Sequence, residues 1–182
     1  MNRDIKADLF RYEGLSGTKG FLKGLCIPGF RYMYLLRKTS KRRKYSISWL
    51  FFTFFLTRYS YKYGFQISST TEIGEGFYIG HFGTIVINKR AKIGRNCNIA
   101  HGVTIGQANR GKLKGCPTIG NNVWIGTGSV IVGNINIGSN VLIAPNSFVN
   151  INVDDNSLVI GNPCKIVNKE NPCDGYINYI LE

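Results

Sequence analysis

No apolar run in this 182-residue chain is long enough to cross a bilayer; the longest, Ile47 to Leu56, is short and carries Ser48 and Thr53. An apolar leader segment is equally missing after Met1-Asn2-Arg3-Asp4-Ile5-Lys6, so no signal peptide is expected. The five cysteines, Cys26, Cys97, Cys116, Cys164 and Cys173, are odd in number and include no close pair at metal-ligand spacing. That argues against a disulfide framework or a zinc ribbon and points to reduced thiols in the cytoplasm. Only His81 and His101 supply imidazole, too few for a three-histidine catalytic zinc site.

Acidic residues are scarce, ten Asp+Glu against 23 Lys+Arg, giving a formal net charge of +13. The surplus is local. Residues 1–65 hold fourteen basic and three acidic residues, net +11, whereas residues 66–182 hold nine and seven, net +2. Such a field suits nucleic acid, an anionic membrane or an acidic substrate. No nucleic-acid-binding module accompanies it, so nucleic acid is not an expected partner.

What the chain has in abundance is a period of six. Ile67, Ile73 and Ile79, then Ile87, Ile93, Ile99 and Ile105, then Ile119, Ile125, Ile131, Ile137, Ile143 and Val149 hold one phase, and many are followed by Gly or Ala. Helices repeat every three to four residues and strands every two, so a sustained period of six predicts a β-solenoid. Each hexapeptide supplies a short strand with an inward β-branched residue and a corner, and three close one triangular coil. Two steps break the phase. Ile79 to Ile87 spans eight residues instead of six, and Ile105 to Ile119 spans fourteen, which reads as about two residues beyond twelve. The second gap, Gln107 to Pro117, is polar and glycine-rich and reads as a loop thrown out from the prism.

This divides the chain into an N-terminal helical region (1–65), the solenoid (66–168) and a polar tail (169–182). Helices are expected over Ile5–Tyr12, from Pro28 to Lys38, and from Tyr45 to Tyr63, with a Gly/Ser/Thr turn after Gly14. The last helix is apolar nearly all round and basic at both ends. It is expected to be packed on the solenoid end or on partner subunits, with peripheral contact to an anionic membrane as the sharper account.

His81 and His101 each lie two residues past a core isoleucine, twenty apart, so they are expected to stack in adjacent coils. Histidine is the side chain best suited to act as a base near neutral pH. A stacked pair with Cys116 is the one zinc alternative the sequence offers; no metal is expected.

The segments from Gly76 to Ile87, Val103-Thr104-Ile105-Gly106, Ile119 to Gly126, Val132-Gly133-Asn134-Ile135 and Gly161-Asn162-Pro163 together resemble the serine acetyltransferase group of left-handed β-helix acyltransferases. The resemblance covers about residues 66–168. It implies acetyl-CoA as donor, a homotrimer, alone or in pairs of trimers, with sites between neighbouring prisms, and His81 as catalytic base. It places cofactor contacts at Gly106, Gly126, Thr127 and Ala144, through backbone groups along the arm, and a phosphate contact at Lys165. Three positions depart from the group's pattern: Gln66 stands where an orienting aspartate is found, Cys116 where a second histidine is found, and Gly115 where an arginine holds the serine carboxylate. Gln66, His101, Asn109, Arg110 and Cys116 are the expected acceptor-side residues. Gly115 has no side chain to hold a carboxylate, and the N-terminal segments are similar to variants encoded with surface-polysaccharide genes, so a sugar hydroxyl is the expected acceptor. Serine O-acetylation is the alternative, and a non-catalytic assembly platform the alternative of another class.

Overall fold

The sixfold period builds what it implies. A computed structural model describes residues 1–181. Its first coil is β1 (Phe65–Ile67), β2 (Glu72–Ile73) and β3 (Tyr78–Ile79); the second is β4 (Ile85–Ile87), β5 (Lys92–Ile93) and β6 (Asn98–Ile99). The third is β7 (Thr104–Gly106), β8 (Thr118–Ile119) and β9 (Val123–Ile125); the fourth is β10 (Val130–Val132), β11 (Asn136–Ile137) and β12 (Val141–Ile143). The fifth keeps β13 (Phe148–Val149) and β14 (Ser157–Ile160), with Val153 bridging Ile137 on the intervening side. β15 (Lys165–Asn168) then turns back antiparallel to β14 and ends the ladder.

Strands stack into three parallel faces: β1-β4-β7-β10-β13, β2-β5-β8-β11 and β3-β6-β9-β12-β14. We call these the first, second and third faces. The inward isoleucines fall in columns, such as Ile79, Ile99, Ile125 and Ile143 with Val159, all at or near zero exposure. Burying one such side chain contributes about 1.5–3 kcal/mol, so the columns dominate the prism's stability.

Corners between the second and third faces are set by Asn96, Asn122, Asn140 and Asn156, all left-handed with φ near 55°. Asparagine tolerates that region better than any other residue with a Cβ apart from aspartate and histidine. Beside them runs a column of glycines where coils approach too closely for a side chain. A Cβ on Gly120 would lie 2.7 Å from the backbone of Gly138. Gly120→Ala is therefore expected to cost about 1–3 kcal/mol by overpacking, read as a lower urea midpoint at unchanged slope; an unshifted midpoint would contradict the close stacking.

The phase breaks need one correction. Ile93 pairs directly with Ile119, so residues 106–118 replace a single hexapeptide corner and the loop carries eight extra residues, since fourteen less six is eight, not two. Ile79 pairs with Ile99 while Ile85 begins the next strand, so two extra residues do widen the corner that holds His81.

Four helices precede the prism: α1 (Arg3–Phe10), α2 (Gly17–Gly24), α3 (Pro28–Ser40) and α4 (Ile47–Tyr63). α2 stands where the sequence predicts a turn. α3 closes the open end of the first coil, burying Tyr32, Met33 and Leu36, and the Tyr32 hydroxyl donates to the Ile67 carbonyl at 3.0 Å. α4 is capped by the Ser46 side chain at one end and by left-handed Gly64 at the other. As expected, one side of α4 packs on α3 and the first coil, through Leu56 and Tyr63 with Phe52, Phe55 and Tyr59, while its other side is exposed in the single chain. None of the described helices is long and apolar enough to cross a membrane.

The tail after β15 runs back over the outside of the third face. The Cys173 thiol approaches the Asn122 carbonyl at 3.3 Å, Tyr176 packs on Trp124, and the Tyr176 carbonyl accepts from the Asn98 side chain. The Asn178 carbonyl then accepts from Arg11 at 2.8 Å, tying the tail to the helical region.

Candidate active site

The edge between the third and first faces gathers the strongest chemistry. Because Ile79, Ile99, Ile125, Ile143 and Val159 are paired strand to strand, the residues two places further on also stack: His81, His101, Thr127, Pro145 and Gly161. His81 and His101 are exposed, with ring centroids 5.9 Å apart and planes at 87°. Successive coils are separated by about 4.8 Å, so the column runs on the order of 20 Å from His81 to Gly161. Lys165 pairs with Ile160 one strand beyond and stands exposed at the far end. One edge therefore offers an imidazole pair at its head, a narrow backbone track and a cation at its foot.

The expected backbone contacts, Gly126, Thr127 and Ala144, differ in which groups they leave free. The N–H groups of Gly126 and Ala144 are already spent on the Ile143 and Val159 carbonyls at 2.8 Å. The Ala144 carbonyl accepts from both Ser129 and Ser147. Within this column the N–H groups of His81, His101 and Thr127 take no acceptor among the described residues and are free donors. The family resemblance places Gly126, Thr127 and Ala144 along the arm, and of their amides the ladder register leaves that of Thr127 free.

The loop lies elsewhere. It leaves the opposite edge of the first face, is pinched by paired hydrogen bonds between Ala108 and Gly115 at 3.0 Å, and folds down so that the Leu113 carbonyl accepts from Asn134. Gly106, Asn109, Arg110 and Cys116 are all on that edge, and Gln66 lies on the outer side of the first face between the two. Within one chain, then, His81 is a face's width from the loop. Cys116 is for the same reason no third ligand to the histidine pair, and no cluster of three or more metal-binding side chains exists among the described residues.

Gly115 has φ +143°, and a Cβ there would lie 2.8 Å from Asn134 Cβ. The backbone at this position is built for glycine and excludes an arginine. Gln66, Gly106, Arg90 and Gln107 border an open groove of about 780 Å³ on the first face. Cys97, by contrast, is sealed in the core, where burial pushes its thiol up to about 12 and makes it inert.

A family model described as bacterial transferase hexapeptide (six repeats) matches residues 116–150. The crystal structure of serine acetyltransferase from Neisseria gonorrhoeae superposes with a TM-score of 0.73 at 31% identity, covering 96% of this chain and 69% of that one. This chain belongs to the serine acetyltransferase-like hexapeptide-repeat transferases. With that membership comes the left-handed winding of the prism. Serine acetyltransferase from Staphylococcus epidermidis is 42% identical over 107 residues, 59% of this chain and 50% of that protein. The enzyme from Brucella abortus, solved in complex with coenzyme A, gives a TM-score of 0.74 at 27% identity, covering 91% of this chain and 66% of that one. The chain spans about half the length of the Staphylococcus relative.

These likenesses overturn the sugar acceptor. All three relatives are serine acetyltransferases, which favours the alternative over polysaccharide O-acetylation, and the carbohydrate partner falls with it. The loop side chains Asn109, Arg110, Lys112 and Lys114 are exposed on a separate edge and form no enclosed pocket with His81 in the chain.

Proposed function

We propose that this protein is an acetyl-CoA-dependent serine O-acetyltransferase of the cytoplasm, working as a homotrimer with His81 as general base. The observation that carries the reading is the single edge column that puts His81 and His101 at one end, free amides at His101 and Thr127 along it, and Lys165 at the other. A thioester lying on this track has its acetyl group beside the imidazoles, its arm against Gly126, Thr127 and Ala144, and a phosphate near Lys165. In the proposed trimer the loop edge of one prism meets the histidine edge of the next and supplies Gly106, Asn109, Arg110 and Cys116, which a single chain holds apart from His81.

In the reaction His81 accepts the proton of the serine hydroxyl as that oxygen attacks the thioester carbonyl. The tetrahedral oxyanion is met by a backbone N–H, with His81, His101 and Thr127 the available donors. The C–S bond then breaks, and the proton passes from His81 to the departing thiolate, leaving O-acetylserine and free CoA. The serine carboxylate is met by a loop cation, Arg110, Lys112 or Lys114, since Gly115 carries no side chain. The test is thiol release from acetyl-CoA with and without L-serine. Release that requires L-serine supports the proposal; no turnover with L-serine, or equal release without it, sinks it.

A further inference from the structure

Helix α4 leaves a coherent apolar face uncovered. Ile47, Leu50, Phe51 and Phe54 are 88%, 54%, 57% and 66% exposed, and their i, i+3, i+4, i+7 spacing puts them on one side of the helix. Arg58, Tyr61 and Lys62 continue the same exposed side through the last two turns. The opposite side, with Phe52, Leu56, Tyr59 and Tyr63, packs on the core formed by α3 and the first coil. Exposed apolar clusters of this kind mark an interaction surface.

We propose that this face of α4 docks on an anionic lipid bilayer. Charge is the deciding argument. Residues 41–63 contain Lys41, Arg42, Arg43, Lys44, Arg58 and Lys62 and no acidic residue, a net charge of +6. Lys41 is paired with Asp4 and Arg42 lies over the Phe52 ring, but pairing two copies of the face would still crowd Arg43, Lys44, Arg58 and Lys62 together with no acidic side chain of the segment to neutralise them, whereas an anionic headgroup layer supplies the missing charge. The segment is basic and rich in aromatics, as interfacial segments are, and Tyr45 and Trp49, in edge contact at 5.5 Å, sit at its start as interfacial aromatics do. Its Ser46 cap and its Gly64 end fix the helix before it binds, so little ordering cost opposes docking.

Docking has a geometric consequence for the rest of the molecule. The Tyr63 carbonyl accepts from Gly83 and the Gly64 carbonyl from Ile85, both at 2.9 Å, so the end of α4 is fastened to the widened corner that carries His81. A lipid-bound α4 holds that corner at a fixed height above the bilayer. This inference does not depend on the identity of the acceptor.

The experiment is flotation of the full chain with vesicles of phosphatidylglycerol and phosphatidylcholine, compared with phosphatidylcholine alone. Docking requires flotation with the anionic vesicles only, weakened by salt. Arg43→Gln with Lys44→Gln is expected to lower the partition coefficient about 25-fold, roughly fivefold per cation. Leu50→Ser, Phe51→Ser and Phe54→Ser together are expected to abolish binding while leaving the mass by light scattering unchanged. Failure of the wild type to float, equal flotation with neutral vesicles, or indifference to the charge pair overturns the proposal. A fall in mass in the triple variant also overturns it, because the face is then a contact between chains. Should the triple variant fail to fold, the charge pair decides alone.

Discussion

His81→Ala is expected to lower the rate of acetyl transfer to L-serine by about 100- to 10,000-fold, the usual worth of a positioned general base. The side chain is exposed at a corner already widened by two residues, so its removal leaves no cavity and little change in stability is expected. Binding of acetyl-CoA should be nearly unaffected, because the arm and phosphate contacts lie further along the column, at Thr127, Ala144 and Lys165. The decisive pattern is a collapse in kcat with KM for acetyl-CoA within about twofold, the signature of an interaction made only in the transition state. His101→Ala should cost less, since the neighbouring ring supports the edge at 5.9 Å but the base itself remains. Equal turnover by wild type and His81→Ala would remove the catalytic reading of this edge.

How far the site is legible in the sequence follows from what sets each position. The stacking of His81 on His101 can be read there, because both keep the same offset from core isoleucines and the ladder fixes register wherever one side is buried. The separation of the loop from His81 cannot, because linear proximity to a phase break does not say which of three edges a corner occupies. The loop's true length is equally hidden, since a fourteen-residue gap fits either two slightly stretched hexapeptides or one greatly stretched one. Pairing of Ile93 with Ile119 shows one corner swollen by eight residues.

The helical region is less transparent for a related reason. α2 contains Gly17, Gly20 and Gly24 in eight residues, a composition that disfavours a helix, and packing on neighbouring helices overrides it. α4 reads as buried because apolar residues surround it, yet α3 and β1 cover only one of its sides and about half of those residues are left in solvent. The tail has no period at all, and its place on the third face depends on partners such as Arg11 and Trp124 that only the fold brings near.

The largest stability effect is expected where the helical region meets the first coil, at Asp8 and Arg37. Their side chains are 1% and 7% exposed, joined by two hydrogen bonds at 2.9 and 3.2 Å. Arg37 also donates to the Ile73 and Gly74 carbonyls, and Asp8 accepts from the Phe77 N–H at 2.9 Å. One pair thus ties α1 and α3 to the turn after β2. Burial pushes the Asp8 carboxyl up, while the Arg37 fork and the Phe77 amide pull it back. Asp8→Ala strips the arginine of its counter-ion but leaves it buried, and is expected to cost about 3–5 kcal/mol, a large part of a domain's total stability. Asp8→Asn keeps an acceptor for Phe77 and should cost less, about 1–3 kcal/mol. Replacing both partners with apolar residues should recover part of the loss, since no uncompensated charge remains; the Ile73, Gly74 and Phe77 backbone groups left without partners keep the recovery incomplete. Urea midpoints of the three variants order these effects. A loss below about 1 kcal/mol for Asp8→Ala would mean that solvent reaches Arg37 and that the pair does not hold the helical region on the prism.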